Sequence, residues 1–168
     1  HFTAPAAGVV SAINRGAQRV LQSVVIDIDG DGAVEFSTCA ASDIASLTAD
    51  QVAENLQASG LWSALRTRPF SKIPAIDSKP RSIFVTAIDT HPLAADPAPI
   101  IAARQDVFAQ GLQLLTKLTD GKVFVCAGAD TQVPEVAGTQ IERFEGVHPA
   151  GLASTHIHML DPVSATKT

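Results

Sequence analysis

Five of the 12 basic residues of this chain fall within positions 66–81: Arg66, Arg68, Lys72, Lys79 and Arg81. Trp62, Leu65 and Phe70 are interleaved with them. Apolar rings beside cationic donors suit a flat, weakly polar ligand that carries carbonyl oxygens, such as a quinone. The same mixture suits an acidic partner or an anionic membrane surface. It also describes a solvated connecting loop whose long stems cover the core. Composition leaves all three open.

Other groups tempt less. His156 and His158 stand two apart in Ala153–Leu160, which reads as a strand, so both would point to one face. Two such imidazoles can ligate a metal with Asp161 as a third donor, or can hydrogen-bond a loop against a sheet. No further nitrogen or sulfur ligand stands close in sequence, so the second role is expected and no metal is assigned. Asp27, Asp29, Asp31 and Gly32 match the first half of a calcium loop. The twelfth position would be Thr38 instead of glutamate, and a strand precedes instead of a helix, so a polar hairpin tip is expected. Gly128 follows a strand, as a nucleotide-binding glycine would, yet Gly128-Ala129-Asp130 does not continue as G-x-G-x-x-G, and there is no Walker loop. Serines coexist with His91, His148, His156 and His158, but no G-x-S-x-G elbow frames a nucleophile. No catalytic residue is assigned.

The elements that must position these residues divide the chain in two. Residues 1–38 read as β-rich. Gly8–Ile13 alternates loosely, Asn14-Arg15-Gly16 signals a turn, and Val20–Ile28 is rich in Val and Ile. Asp29-Gly30-Asp31-Gly32 then predicts a hairpin turn with a returning strand at Ala33–Phe36. So small a unit buries little and needs partner strands. From residue 39 onward the pattern is α/β. Thr48-Ala49-Asp50-Gln51 is a capping box, Leu47 and Val52 a hydrophobic staple, and Gly60 a stop, giving a helix over Ala49–Ser59. Leu61–Arg81 reads as a long loop with one helical turn at its start. Ser82–Ile88 and Lys122–Cys126 are apolar runs of buried strands. Asp96-Pro97 opens a long helix between them, with Ile101, Phe108, Leu112 and Leu115 on one stripe and Ile100, Val107, Leu114 and Leu118 beside it. Strand, helix and strand at this spacing predict a parallel, right-handed βαβ unit. Gln140–Phe144 is a further strand candidate.

Composition excludes several classes. Hydrophobic residues make up 46% and charged residues 17%, which permits a packed core and argues against disorder. A net charge of −5 disfavours nucleic acid as a partner. No run of about 18 apolar residues spans a bilayer. No signal peptide is read at the start, His1 to Pro5. Cys39 and Cys126 form no disulfide framework; both follow or end apolar runs and are expected to be buried free thiols of a reducing compartment.

Several stretches together carry a resemblance. They are His1-Phe-Thr-Ala-Pro5, Ile13-Asn-Arg-Gly16 and Arg19-Val-Leu-Gln-Ser-Val-Val25. Arg66-Thr-Arg-Pro-Phe-Ser-Lys-Ile-Pro74 and Ile83-Phe-Val-Thr-Ala-Ile-Asp-Thr90 follow, with Pro92-Leu-Ala-Ala-Asp96 after them. The most distinctive are His148-Pro-Ala-Gly-Leu152 and Thr155-His-Ile-His-Met-Leu-Asp-Pro-Val-Ser-Ala-Thr-Lys-Thr168. Over its whole length the chain resembles the NqrA family, the A subunits of the sodium-translocating NADH:quinone oxidoreductase. The related RnfC electron-transport subunits share part of the histidine-containing segment, but the basic loop favours the quinone reductase.

The resemblance implies more than the residues do. Family members are longer at both ends, so the chain would be an internal portion and not a self-sufficient enzyme. Residues 1–38 would be half of a lipoyl-like barrel-sandwich module, without a modifiable lysine at Asn14-Arg15-Gly16. Residues 39–168 would be a Rossmann-like α/β domain. The protein would lie on the cytoplasmic face of the bacterial inner membrane as a peripheral member of a sodium-transporting respiratory complex, bound to its other subunits. Flavins, the iron centre and the NADH site would belong to those partners, with ubiquinone as substrate and no cofactor in this chain. The matching quinone-binding stretch would be Leu65, Arg66, Thr67, Arg68, Pro69, Phe70, Ser71 and Lys72, with Trp62 beside it. The alternative is a purely structural docking module of the same complex.

Overall fold

The computed structural model describes residues 4–164. The family-like segments His1-Phe2-Thr3 and Ala165-Thr-Lys-Thr168 therefore lie outside the described residues. The fold is mixed α/β, with an antiparallel two-stranded ribbon and a parallel three-stranded sheet.

The ribbon pairs β1 (Gly8–Arg15) with β2 (Leu21–Ile28), from Gly8 opposite Ile28 to Arg15 opposite Leu21. Gln18 and Arg19 take positive φ values of 56° and 62° in the reversal between them. Nothing among the described residues buries either face: Val9 is 68% exposed and Ile28 74%. The expected third strand at Ala33–Phe36 does not form. The Asp29 amide donates to the Ala7 carbonyl, 3.1 Å away, and Gly30 then turns the chain off at a φ of 71°. Asp29–Gly32 is therefore a bend leaving the ribbon, not a hairpin tip. Without a neighbouring strand the Val34 side chain stays 80% exposed.

Helix α1 (Ala49–Ala58) starts as the sequence predicts. Gln51 N–H donates to Thr48 Oγ1 at 3.3 Å, and Thr48 N–H donates to Gln51 Oε1 at 2.9 Å. Val52 is buried, and Gly60 stops the helix at a φ of 79°.

In the parallel sheet, β4 (Lys122–Gly128) lies between β3 (Ser82–Ala87) and β5 (Thr139–Phe144). Val123 through Ala127 are all buried, as a central parallel strand covered on both faces requires. One face presents Val85, Ala87, Val125, Ala127 and Ile141 to Ile101, Phe108 and Leu112. The other presents Phe84 stacked on Phe124 with centroids 4.9 Å apart. The single long helix expected here is two: α2 (Ala98–Ala103) and α3 (Gln105–Thr116), separated by Arg104 at φ −142°, ψ 46°. Ile101 and Leu112 are buried as the stripe predicts, but Ile100 and Val107 face solvent.

Ala153–Leu160 is a helix, α4, not the expected strand. Leu152, His156 and Leu160 recur every four positions, the helical spacing, and α4 packs on β3. Successive residues turn by about 100° in a helix, so His156 and His158 diverge by about 200°. His156 is fully buried and His158 is exposed, so the two cannot share a metal as a strand pair would.

The cysteines also separate. Cys126 is buried in β4, and its thiol is pushed up to about 12, first by burial and then by Glu142. Cys39 is exposed, contrary to expectation, because the irregular segment that holds it has no covering element. An aromatic disulfide reagent at pH 8 should titrate one thiol quickly in the native chain and the second only after unfolding. Two thiols reacting together in the native state would contradict this placement.

Candidate functional site

The basic loop is a stapled finger with two parts. After Gly60, a short turn at Leu61–Ala64 points the Trp62 indole inward, where Nε1–H donates to the Pro74 carbonyl at 3.0 Å. Arg66 folds back, donating to the carbonyls of Ser63 and, at 2.8 Å, Leu65. Leu65 is half-buried. These three form a stem. Thr67 then closes the tip: its N–H and its hydroxyl both donate to the Lys72 carbonyl, at 2.8 and 3.0 Å. Within that closure lie Arg68, a cis bond to Pro69, Phe70, and Ser71 at a φ of 51°. Phe70 is 77% exposed, with Arg68 and Lys72 exposed beside it. So the sequence-predicted residues do not converge on a pocket. Trp62, Leu65 and Arg66 hold the finger's shape, while Arg68, Pro69, Phe70, Ser71 and Lys72 form its outward surface.

The far end of the loop is pinned separately. The Thr119 hydroxyl donates to the Pro80 carbonyl at 2.6 Å. Arg81 pairs with Asp161 Oδ1 at 2.9 Å, and the Ser82 hydroxyl donates to Asp161 Oδ2 at 3.0 Å. These contacts tie the loop to the end of α4 and leave a recess of about 350 Å³ between Arg81, Lys122, Phe124 and Leu160. A larger hollow of about 520 Å³ beside β5 is lined by Glu135 and small or apolar neighbours, with no basic group.

A third cluster escaped sequence reasoning. At the carboxyl end of β3, Asp89 Oδ1 accepts from the His91 amide at 2.9 Å and lies 2.7 Å from His91 Nδ1. The amide, then the ring, hold the Asp89 carboxyl below its usual range. The His91 and His148 rings are 4.9 Å apart, and the Gly151 amide donates to Thr90 Oγ1 at 2.9 Å. This is the edge where α/β sheets commonly take ligands. The signal was available, since His91 and His148 each follow a strand within a few residues. Among the described residues, no group of three or more potential metal ligands converges. Nor is any helix among them long and apolar enough to cross a membrane.

Two family models match separate stretches of the chain. Residues 47–168 match the family described as the NqrA second alpha/beta domain, and residues 1–29 match the NqrA N-terminal barrel-sandwich hybrid domain. Among similar proteins are the A subunits of the Na(+)-translocating NADH-quinone reductases of Cellvibrio japonicus (strain Ueda107), 62% identical, and of Saccharophagus degradans (strain 2-40), 60% identical. The counterpart from Pasteurella multocida (strain Pm70) is 54% identical. In each case the match covers 99% of this chain and 38% of the relative, so the chain spans well under half the length of these proteins.

Proposed function

The chain belongs to the NqrA family, and on that premise we propose that it works within a sodium-translocating NADH-quinone reductase by presenting the finger tip Thr67–Lys72 to quinone and by gripping neighbouring subunits. It contributes surface, not electrons. The flavins, iron centre and NADH site belong to partner subunits, and the chain lies peripherally on the cytoplasmic face of the bacterial inner membrane. Residues 1–38 and 39–168 act as two modules of that surface.

The observation that carries this reading is Phe70, 77% exposed and flanked by Arg68 and Lys72 on a loop stapled at both limbs. Burying a large apolar side chain is worth roughly 1.5–3 kcal/mol, so a preformed finger that holds a phenyl ring in water gains by being covered. The ring offers a stacking face, and Lys72 or Arg68 offers a donor to a carbonyl oxygen that gains negative charge on reduction. The open tip, with Ile73 and Ile76 also exposed, favours a second reading in which the cover is a neighbouring protein of the complex and not quinone.

One experiment separates them. A photoreactive quinone analogue added to the intact complex should label residues 65–72. Phe70→Ala with Lys72→Ala should weaken labelling by about 100-fold or more, the loss of one apolar contact and one charged hydrogen bond. Normal labelling in a complex that assembles poorly would instead establish docking.

A further inference from the structure

The geometry points to a second contact for the same quinone: the recess between Arg81 and Lys122, at the amino ends of β3 and β4, receives a ring that carries carbonyl oxygens. This inference rests on the quinone reading above and gives it the concave volume that the finger tip lacks.

Three observations carry it. The first is shape and size. Arg81, Ser82, Lys122, Phe124, Leu160 and Asp161 line a half-open recess of about 350 Å³. That lies at the small end of the roughly 300–1,000 Å³ typical of ligand pockets, which suits a single substituted ring and is too small for a dinucleotide. The second is charge. Both Asp161 oxygens are engaged, by Arg81 at 2.9 Å and by the Ser82 hydroxyl at 3.0 Å, so its charge is already balanced. The surplus is the Lys122 ammonium, held 5.8 Å from the centre of the Phe124 ring. A cation parked over an aromatic face is positioned but keeps donors to spare. A carbonyl oxygen between Lys122 and the unengaged side of the Arg81 guanidinium would accept from both. The third is continuity. Arg81 is the last basic residue of the loop whose tip carries Phe70, so one segment reaches both surfaces. The apolar Leu160 in the lining disfavours a bare phosphate, which would leave it without a partner.

The test uses the intact complex and a photoreactive benzoquinone with a short tail. Labelling is expected at 121–124 and 160–161 as well as at the tip. Lys122→Met keeps the stem over Phe124 but removes the donor, and should weaken labelling of the recess about ten-fold, with Lys122→Arg restoring most of it. Leu160→Trp, which fills the recess, should abolish it there. Native-like labelling in both Lys122→Met and Leu160→Trp complexes overturns the recess. Label confined to residues 65–72 also overturns the recess and leaves the finger reading standing. Label in neither place overturns both. Lys122→Met decides the matter even where Leu160→Trp prevents assembly.

Discussion

Replacing Gly121 by alanine is expected to destabilise the chain by about 3 kcal/mol and to lower its melting temperature by about 6–12 °C. An added Cβ would overlap the carbonyl oxygen of Arg81, closer than any real contact comes. Relief requires a backbone shift, and neither strand can give way cheaply. On one side Lys122 opens β4, in register with Ser82 of β3. On the other, Arg81 is fixed by Asp161, and Pro80 by the Thr119 hydroxyl. The Gly121 amide itself donates to Thr119 Oγ1 at 3.0 Å, so the same hydroxyl would be dislodged. Gly111 is the control. No atom lies within 4 Å of a Cβ built there, and alanine in a helix interior is favoured over glycine by about 1 kcal/mol. Thermal melts of the two variants should move in opposite directions. Equal melting temperatures for Gly121→Ala and the parent would refute the close approach of the two strands.

Truncation of His156 to alanine should cost about 3–5 kcal/mol, as for a large ring removed from a core. The ring is fully buried, 4.1 Å between centroids from Phe144, and Nε2 lies 2.8 Å from the Ala150 carbonyl oxygen. A nitrogen facing a carbonyl must carry the hydrogen, so the neutral ring keeps its proton on Nε2 and leaves Nδ1 bare. Nδ1 is buried with no hydrogen-bond partner among the described residues. Charging it would bury a cation, and burial accordingly lowers the His156 pKa, against a smaller opposing effect of the Ala150 bond. The sign follows. Below the unfolded value of about 6.5, the unfolded chain binds a proton that the native chain refuses. Stability is thus complete above that pH and declines as pH falls beneath it, until the depressed native value is reached. Denaturant midpoints from pH 7.5 to 5 should show the decline in the parent and a shallower one in His156→Leu, which retains bulk without a titrating nitrogen. Identical slopes would remove His156 as the source.

Much of the architecture was legible because it is written in local chemistry. Thr48 and Gln51 announce α1 through paired side-chain and backbone hydrogen bonds that need no distant partner. The apolar runs at Ser82 and Lys122 identify strands buried on both faces, and their spacing implies parallel pairing. Where the outcome depended on distant neighbours, the pattern misled. Ile157 alternates with His156 and His158 as in a strand, and an eight-residue run is too short for its period to decide; the uncovered face of β3 decided it. Ala33–Phe36 has strand-like residues but no strand to pair with. Arg104 breaks the helix without proline or glycine, leaving no sign in its residue type. At the candidate site, the basic and aromatic content of the finger was plain in the sequence. Which of its residues face inward was not, because that rests on Trp62 reaching Pro74, 12 positions away.

Parallel pairing also dictates an order of events as the chain is made. β1 and β2 meet through a tight reversal, so they can associate within microseconds of leaving the ribosome. Ser82 must wait for Lys122, 40 positions downstream, before β3 finds its neighbour. At roughly 5–20 residues per second, that delay is several seconds, during which Ile83, Phe84 and Val85 have no strand beside them. In that interval the apolar run of β3 is open to self-association, and a chaperone that shields it would act there.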